Sequence, residues 1–122
     1  MPSRWANLAP VVQIPRGTNK AFKVDGLSVL VCHAAAGLYA IENRCSHQLA
    51  TLEGGKLRGA SIFCPKHGAQ FDLRTGQPIG PLTKLAIQTY ELRIDEGGNV
   101  EVQIPMAKTT EANQPPSSKE SQ

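Results

Sequence analysis

Four residues restrict this chain more than any others. Cys45-Ser46-His47 and Cys64-Pro65-Lys66-His67 form two pairs of metal-ligating side chains, one residue apart in the first pair and two in the second. The 16 residues from Gln48 to Phe63 separate the pairs. That gap is long enough for a hairpin to bring both pairs to one point. Thiolate sulfur and neutral imidazole nitrogen are ligands of zinc, copper and iron–sulfur centres, and a Cys2His2 set by itself suits more than one of them. Spacing arbitrates. A Cys-x-His pair is cramped for chelating one small tetrahedral ion, for which spacers of two or more residues are usual. A two-iron centre relaxes that constraint, because each loop gives its Cys to one iron and its His to the other.

Patterning along the chain is that of strands. Pro10 and Pro15 confine the segment Arg4 to Pro15 to short or edge pieces, and Trp5 within it is read as plain packing. Arg16 to Lys20 reads as a turn, Ala21 to Val24 as a strand and Asp25-Gly26 as a hairpin signal. Leu27 to Ala36 is a continuous run of small and β-branched apolar residues, which predicts a central strand buried on both faces. Cys32 and His33 fall inside it. Strand alternation makes them a core Cys and a surface-pointing His, not a second metal site. Gly37 turns the chain into a second hairpin arm, Leu38 to Ile41. Beyond the first loop, Leu49 to Leu52 is placed to shield a metal centre. Lys56 to Phe63 reads as a short strand pair broken at Gly59, and Lys84 to Ile94 as one irregular strand. Asp95 to Asn99 is the turn into Val100 to Ile104.

No convincing helix is present. The architecture expected is all-β: a small antiparallel barrel or sandwich made from residues before about Asn43 and after about Lys84, carrying the ligand loops on an inserted lobe. Residues 1–104 are read as one domain, with the lobe at about 43–83. From residue 105 to 122 there are no aromatics and no periodicity, but Pro115-Pro116 and Ser117-Ser118, the composition of a disordered tail.

Composition excludes several classes. The 13 Lys and Arg against 10 Asp and Glu give a net charge of only +3, with no basic cluster interleaved with aromatics, so nucleic acid is not an expected partner. Of the three cysteines, two are given to metal, so a disulfide framework is not expected and a reducing cytoplasm fits. No signal-like segment opens the chain and no run approaches the ~20 apolar residues of a membrane span, so a soluble protein is expected.

The ligand pairs sit in a longer pattern. Gly68 follows His67 in the run His67-Gly68-Ala69-Gln70-Phe71-Asp72-Leu73-Arg74-Thr75-Gly76, Gly80-Pro81 comes shortly after, and Leu38 to Arg44 reads as a strand leading into the first loop. From Arg4 to Ile104 the chain resembles the Rieske family. The resemblance implies that family's antiparallel base with an inserted cluster-binding lobe. It also implies one [2Fe-2S] cluster per chain, with Cys45 and Cys64 on one iron and His47 and His67 on the other. Two ferric ions, two sulfides and two thiolates sum to zero charge when the imidazoles are neutral. An electron enters such a centre more readily than one held by four thiolates, so His ligation raises the potential above that of plant-type ferredoxins. Gly68 and Gly76 are read as tight backbone, and Gly68, beside a ligand, is expected to let amide N–H groups approach the cluster sulfurs.

The resemblance also points to function. High-potential respiratory members are membrane-anchored and carry a disulfide between the ligand loops, with Ser and Tyr hydroxyls donating to sulfur. The matching positions here are Ala50, Lys66, Ala69 and Phe71, which supply none of this, and a potential near the low end of the Rieske range, roughly −150 mV, is expected. Oxygenases of the superfamily need a further iron held by two His and a carboxylate. With three His in the chain and two assigned to the cluster, only His33 remains, so the chain is read as no enzyme itself. It looks like the ferredoxin component of an aromatic-ring-hydroxylating dioxygenase system. Its expected partners are a flavin-containing reductase as donor and a terminal oxygenase as acceptor, and a monomer suits a shuttle between them. His47 and His67 are the expected electron exit, with Lys66 a candidate for partner choice. Alternatives are a carrier for a di-iron monooxygenase, a relative of the nitrite reductase small subunit, which commonly lacks the ligands, and, from another class, a structural Cys2His2 zinc module.

Overall fold

A two-residue turn of Asp25 and Gly26 needs positive φ at both positions, and the computed structural model, which describes residues 3–45, 50–66 and 68–105, has φ of 51° and 83° there. Strands β2 (Asn19–Val24) and β3 (Leu27–Ala34) run from that turn in the register Val24 to Leu27. Strand β4 (Gly37–Glu42) returns along β3, and β9 (Thr89–Tyr90) adds to β4, giving the sheet order β2-β3-β4-β9. A second sheet, in the order β1-β11-β10, joins β1 (Ser3–Pro10), β10 (Leu92–Ile94) and β11 (Asn99–Pro105). The third lies wholly between β4 and β9 in sequence: β5 (Lys56–Arg58), β6 (Ser61–Phe63), β7 (Gln70–Asp72) and β8 (Pro78–Ile79), in that order. Every pairing is antiparallel.

The all-β architecture with an inserted lobe is as expected. Among the described residues the one helical piece is a 3₁₀ turn, Val11–Gln13. The double-sided burial of β3 has a simple cause. Its sheet is the middle of three layers, so odd and even side chains enter different cores. Val29 and Val31 pack with Ala6, Ile14, Val100, Val102 and Ile104 toward the β1-β11-β10 sheet. Leu30, Cys32 and Ala34 pack with Leu52, Ile62, Phe71, Leu73 and Ile87 toward the lobe. Strand β1 is an edge strand with an irregularity between Asn7 and Ala9, as its flanking prolines require. Trp5 on it is half-buried and roofed by the Arg93 guanidinium, 3.9 Å from the ring centre.

One expected strand divides. Between Lys84 and Ile94 the chain forms two short pieces, β9 on β4 and β10 on β11, with Glu91 between them where the chain changes sheets. The stretch before β9 is strapped across the molecule: the Ile87 N–H donates to Gly76 O at 2.9 Å and the Glu42 N–H to Gln88 O at 2.8 Å. Ile87 is buried against the lobe core while Leu85 is 63% exposed, so apolar alternation there does not report a strand. At the far end, Asp95 Oδ1 accepts the N–H groups of Gly97 and Asn99, each at 2.9 Å. The Asn99 amide above all holds that carboxyl below the usual range. The tail reading, residues 106–122, lies outside the described residues.

Candidate metal centre

Both cysteine loops leave the ends of short strands and close in the same way. Past β4, the Cys45 N–H donates to Ala50 O at 2.8 Å, forming an isolated antiparallel bridge. Past β6, the Cys64 N–H donates to Ala69 O at 2.7 Å. Each loop is thus a five-residue step closed at its base, from 45 to 50 and from 64 to 69. Cys45 and Cys64 are 1% and 2% exposed and belong to one buried cluster with Leu52, Ile62, Ala69, Phe71 and Leu73. His47 and His67, the other two expected ligands, lie inside these loops but outside the described residues, as does Leu49 of the expected shield. Leu52 of that shield is fully buried against the same cluster and Ala50 packs at its side.

Asn43, unremarked in the sequence, fastens the first loop. It is 6% exposed, its Oδ1 accepts the N–H groups of Leu52 and Glu53, each at 3.0 Å, and its Nδ2 donates to Ser28 Oγ at 3.1 Å. Asn19 holds the same turn from β2, accepting from the Gly54 N–H at 2.8 Å and donating to Gly55 O at 2.9 Å. A Cβ on Gly55 would sit 2.3 Å from Phe63 O, beside Cys64, so this turn touches both loops. The one available signal was an Asn ahead of a loop, a residue that bonds backbone amides where chains turn.

Gly68, with φ of +77°, closes the second loop, and its own N–H donates to Cys64 O at 2.9 Å. Gly76 likewise donates to Asp72 O at 2.7 Å. His33 differs from its expectation as surface-pointing: it is half-buried, and its Nδ1 donates to Ile14 O at 2.8 Å, tying β3 to the end of the 3₁₀ turn. Cys32 is the core residue expected, its thiol pushed up to about 12 by burial. Ala50, Ala69 and Phe71 line the loop bases without a hydroxyl, and Lys66 is exposed.

Burying two sulfur donors under adjoining loops suits a soft metal centre. A thiolate in apolar surroundings is costly unless a cation shares the site, and iron supplies that cation. The Rieske [2Fe-2S] domain pattern matches residues 4–91. The chain belongs to the Rieske [2Fe-2S] domain family. Its cofactor is the Rieske-type [2Fe-2S] cluster of that family. A ferredoxin component of the naphthalene 1,2-dioxygenase/salicylate 5-hydroxylase systems of Ralstonia sp. is 35% identical to this Rieske chain over 107 residues, covering 87% of this chain and 99% of that protein. The ferredoxin of carbazole 1,9a-dioxygenase from Nocardioides aromaticivorans superposes with a TM-score of 0.74 at 35% identity, covering 80% of this chain and 95% of that one. A further ferredoxin, solved in complex with the reduced oxygenase of a carbazole 1,9a-dioxygenase, gives 0.73 at 29% identity, covering 80% and 91%.

Proposed function

We propose that this Rieske protein is the ferredoxin component of a ring-hydroxylating dioxygenase system, taking single electrons from a flavin-containing reductase and giving them to a terminal oxygenase. The observation that carries the reading is the pair of matched loops over buried Cys45 and Cys64, in a chain 35% identical to a dioxygenase ferredoxin over nearly its whole length. Cys45 and Cys64 would hold one iron, and His47 and His67 the other. When bound, the cluster accepts and releases one electron.

The chain's own part is to hold that centre and keep water from it. Leu52, Ile62, Phe71 and Leu73 form a dry floor, and the Asn43 and Asn19 clamps fix the loop above it. No hydroxyl at Ala50, Ala69 or Phe71 stabilises the added electron, which supports a low potential. With two of the three histidines on the cluster, the chain supplies no second iron site, and hydroxylation takes place on the oxygenase. Among the described residues no helix is long and apolar enough to cross a membrane. With two of three cysteines given to iron, a reducing cytoplasm suits the chain.

The test is anaerobic purification followed by visible absorption, EPR and potentiometry. The reading requires a coloured protein with a midpoint below zero, loss of the cluster signal in Cys64→Ser, and product formation when the chain is mixed with reductase and oxygenase. A colourless, folded protein carrying zinc would overturn it.

A further inference from the structure

The lobe sheet has two unlike faces. Its middle row, Leu57, Ile62, Phe71 and Pro78, turns inward, with Ile62 and Phe71 fully buried. The rows on either side therefore lie on the opposite face of the sheet, where Gln70 Nε2 donates to Ser61 Oγ at 2.9 Å and Ser61 is only 6% exposed. Lys56, Phe63, Gln70 and Ile79 stand opposite one another across the four strands and form one such row, and Arg58, Ser61 and Asp72 form the other. Lys56 and Arg58 are exposed on β5, the sheet's edge, and Ile79 is 43% exposed at the opposite edge. Phe63 of the first row leads directly into Cys64, and exposed Lys66 lies in the loop beyond.

Charge on this face is uncompensated. Asp72 is taken by Arg74, 3.1 Å away, whereas Lys56, Arg58 and Lys66 form no ion pair among the described residues. The whole lobe segment 43–86 carries Arg44, Lys56, Arg58, Lys66, Arg74 and Lys84 against Glu53 and Asp72. The strands that follow reverse the sign, with Glu91, Asp95, Glu96 and Glu101 against Arg93 in residues 87–104. Residues 1–42 are again positive, with Arg4, Arg16, Lys20 and Lys23 against Asp25 and Glu42, so the larger positive excess lies on the lobe and the negative excess on the β10–β11 segment. Such a distribution orients a protein as it approaches an oppositely charged surface and raises the rate of productive encounter.

We propose that the outer face of the lobe sheet, with apolar Phe63 and Ile79 beside Lys56, Arg58 and Lys66, is the docking surface for an acidic face of the terminal oxygenase. This rests on the electron-carrier reading above and adds the sign and the residues of the contact. A partner seated there lies against the loop that holds Cys64, and its carboxylates meet cations that nothing in the described chain satisfies. The same face repels a basic partner, which gives selectivity as well as speed.

Stopped-flow oxidation of the reduced holoprotein tests the field and the docking separately. With ferricyanide, an anion, the wild-type rate should fall as salt rises from about 10 to about 500 mM. With hexaamminecobalt(III), a cation, it should rise. In the double variant K56E/R58E the low-salt ferricyanide rate should drop about tenfold and the cobalt rate should rise, with an unchanged visible spectrum showing that the cluster is intact. Electron transfer to the terminal oxygenases of naphthalene and carbazole dioxygenase systems should slow with salt and slow about tenfold in the same variant at low salt. Oxygenase transfer that is insensitive to salt and to K56E/R58E overturns the docking assignment alone. A reduced protein that reacts with ferricyanide but passes no electron to any oxygenase overturns the carrier reading and the docking assignment together.

Discussion

Asn43 satisfies two backbone amides and one hydroxyl from a position almost sealed from water, and its truncation leaves all three groups without that partner. Asn43→Ala should cost about 1–3 kcal/mol, the penalty of leaving buried polar groups unsatisfied, and should hasten bleaching of the cluster; chemical denaturation and the decay of visible absorbance measure the two effects. Cys32 gives a pH dependence. Its thiol is pushed up to about 12 by burial, so the unfolded chain releases that proton first as the solution becomes alkaline. The stability tied to this group is complete below the ordinary thiol range and is lost as pH rises toward 12. Alkaline unfolding of Cys32→Ala should be shallower than that of wild type by about 1.4 kcal/mol per pH unit in that window, and equal slopes would remove the effect. Cys32 was legible as a core residue, because a free Cys within an apolar strand run packs as a small hydrophobe. The His33 contact was not, since its acceptor, Ile14 O, lies 19 positions away and only tertiary packing brings the two together.

Turns separate into those that need only a backbone angle and those that also need room. Gly68 has φ of +77° and, chain neighbours aside, no atom of the described residues within 4 Å of an added Cβ, whereas at Gly76, with φ of +79°, that carbon would sit 2.1 Å from Ile87 O. Gly68→Ala should therefore cost roughly 1–2 kcal/mol, and Gly76→Ala clearly more, because it also forces the Ile87 strap off the lobe; paired thermal melts measure the difference. The hairpin at Asp25-Gly26 was visible from local chemistry, as was the break at Gly59. The sheet change at Glu91 was hidden, because Leu85, Ile87 and Thr89 alternate like a strand while the hydrogen bonds that decide their path reach Gly76 and Glu42 on other elements.

Three layers give the molecule two cores of unequal dependence on the metal. The core around Val29, Val31, Val100, Val102 and Ile104 contains no lobe residue, while the one around Leu30, Ile41, Ile62 and Phe71 is shared with the loops. Stripping iron should therefore leave the β1-β11-β10 layer protected in hydrogen exchange and expose amides of β6 and β7, and uniform loss of protection would contradict the layering. The fold class was readable from alternation and turn residues. The stacking was not, because a run buried on both sides does not reveal what lies over each side.

Strand β5 is the margin of its sheet, with no further strand paired to it among the described residues, and on that margin stand Lys56 and Arg58. An open margin invites a second molecule to anneal along it, and like charges brought together there repel. The two cations therefore also keep the protein dispersed at high concentration, so neutralising them should trade an electron carrier for a self-associating one, a change that sedimentation would register before any loss of colour.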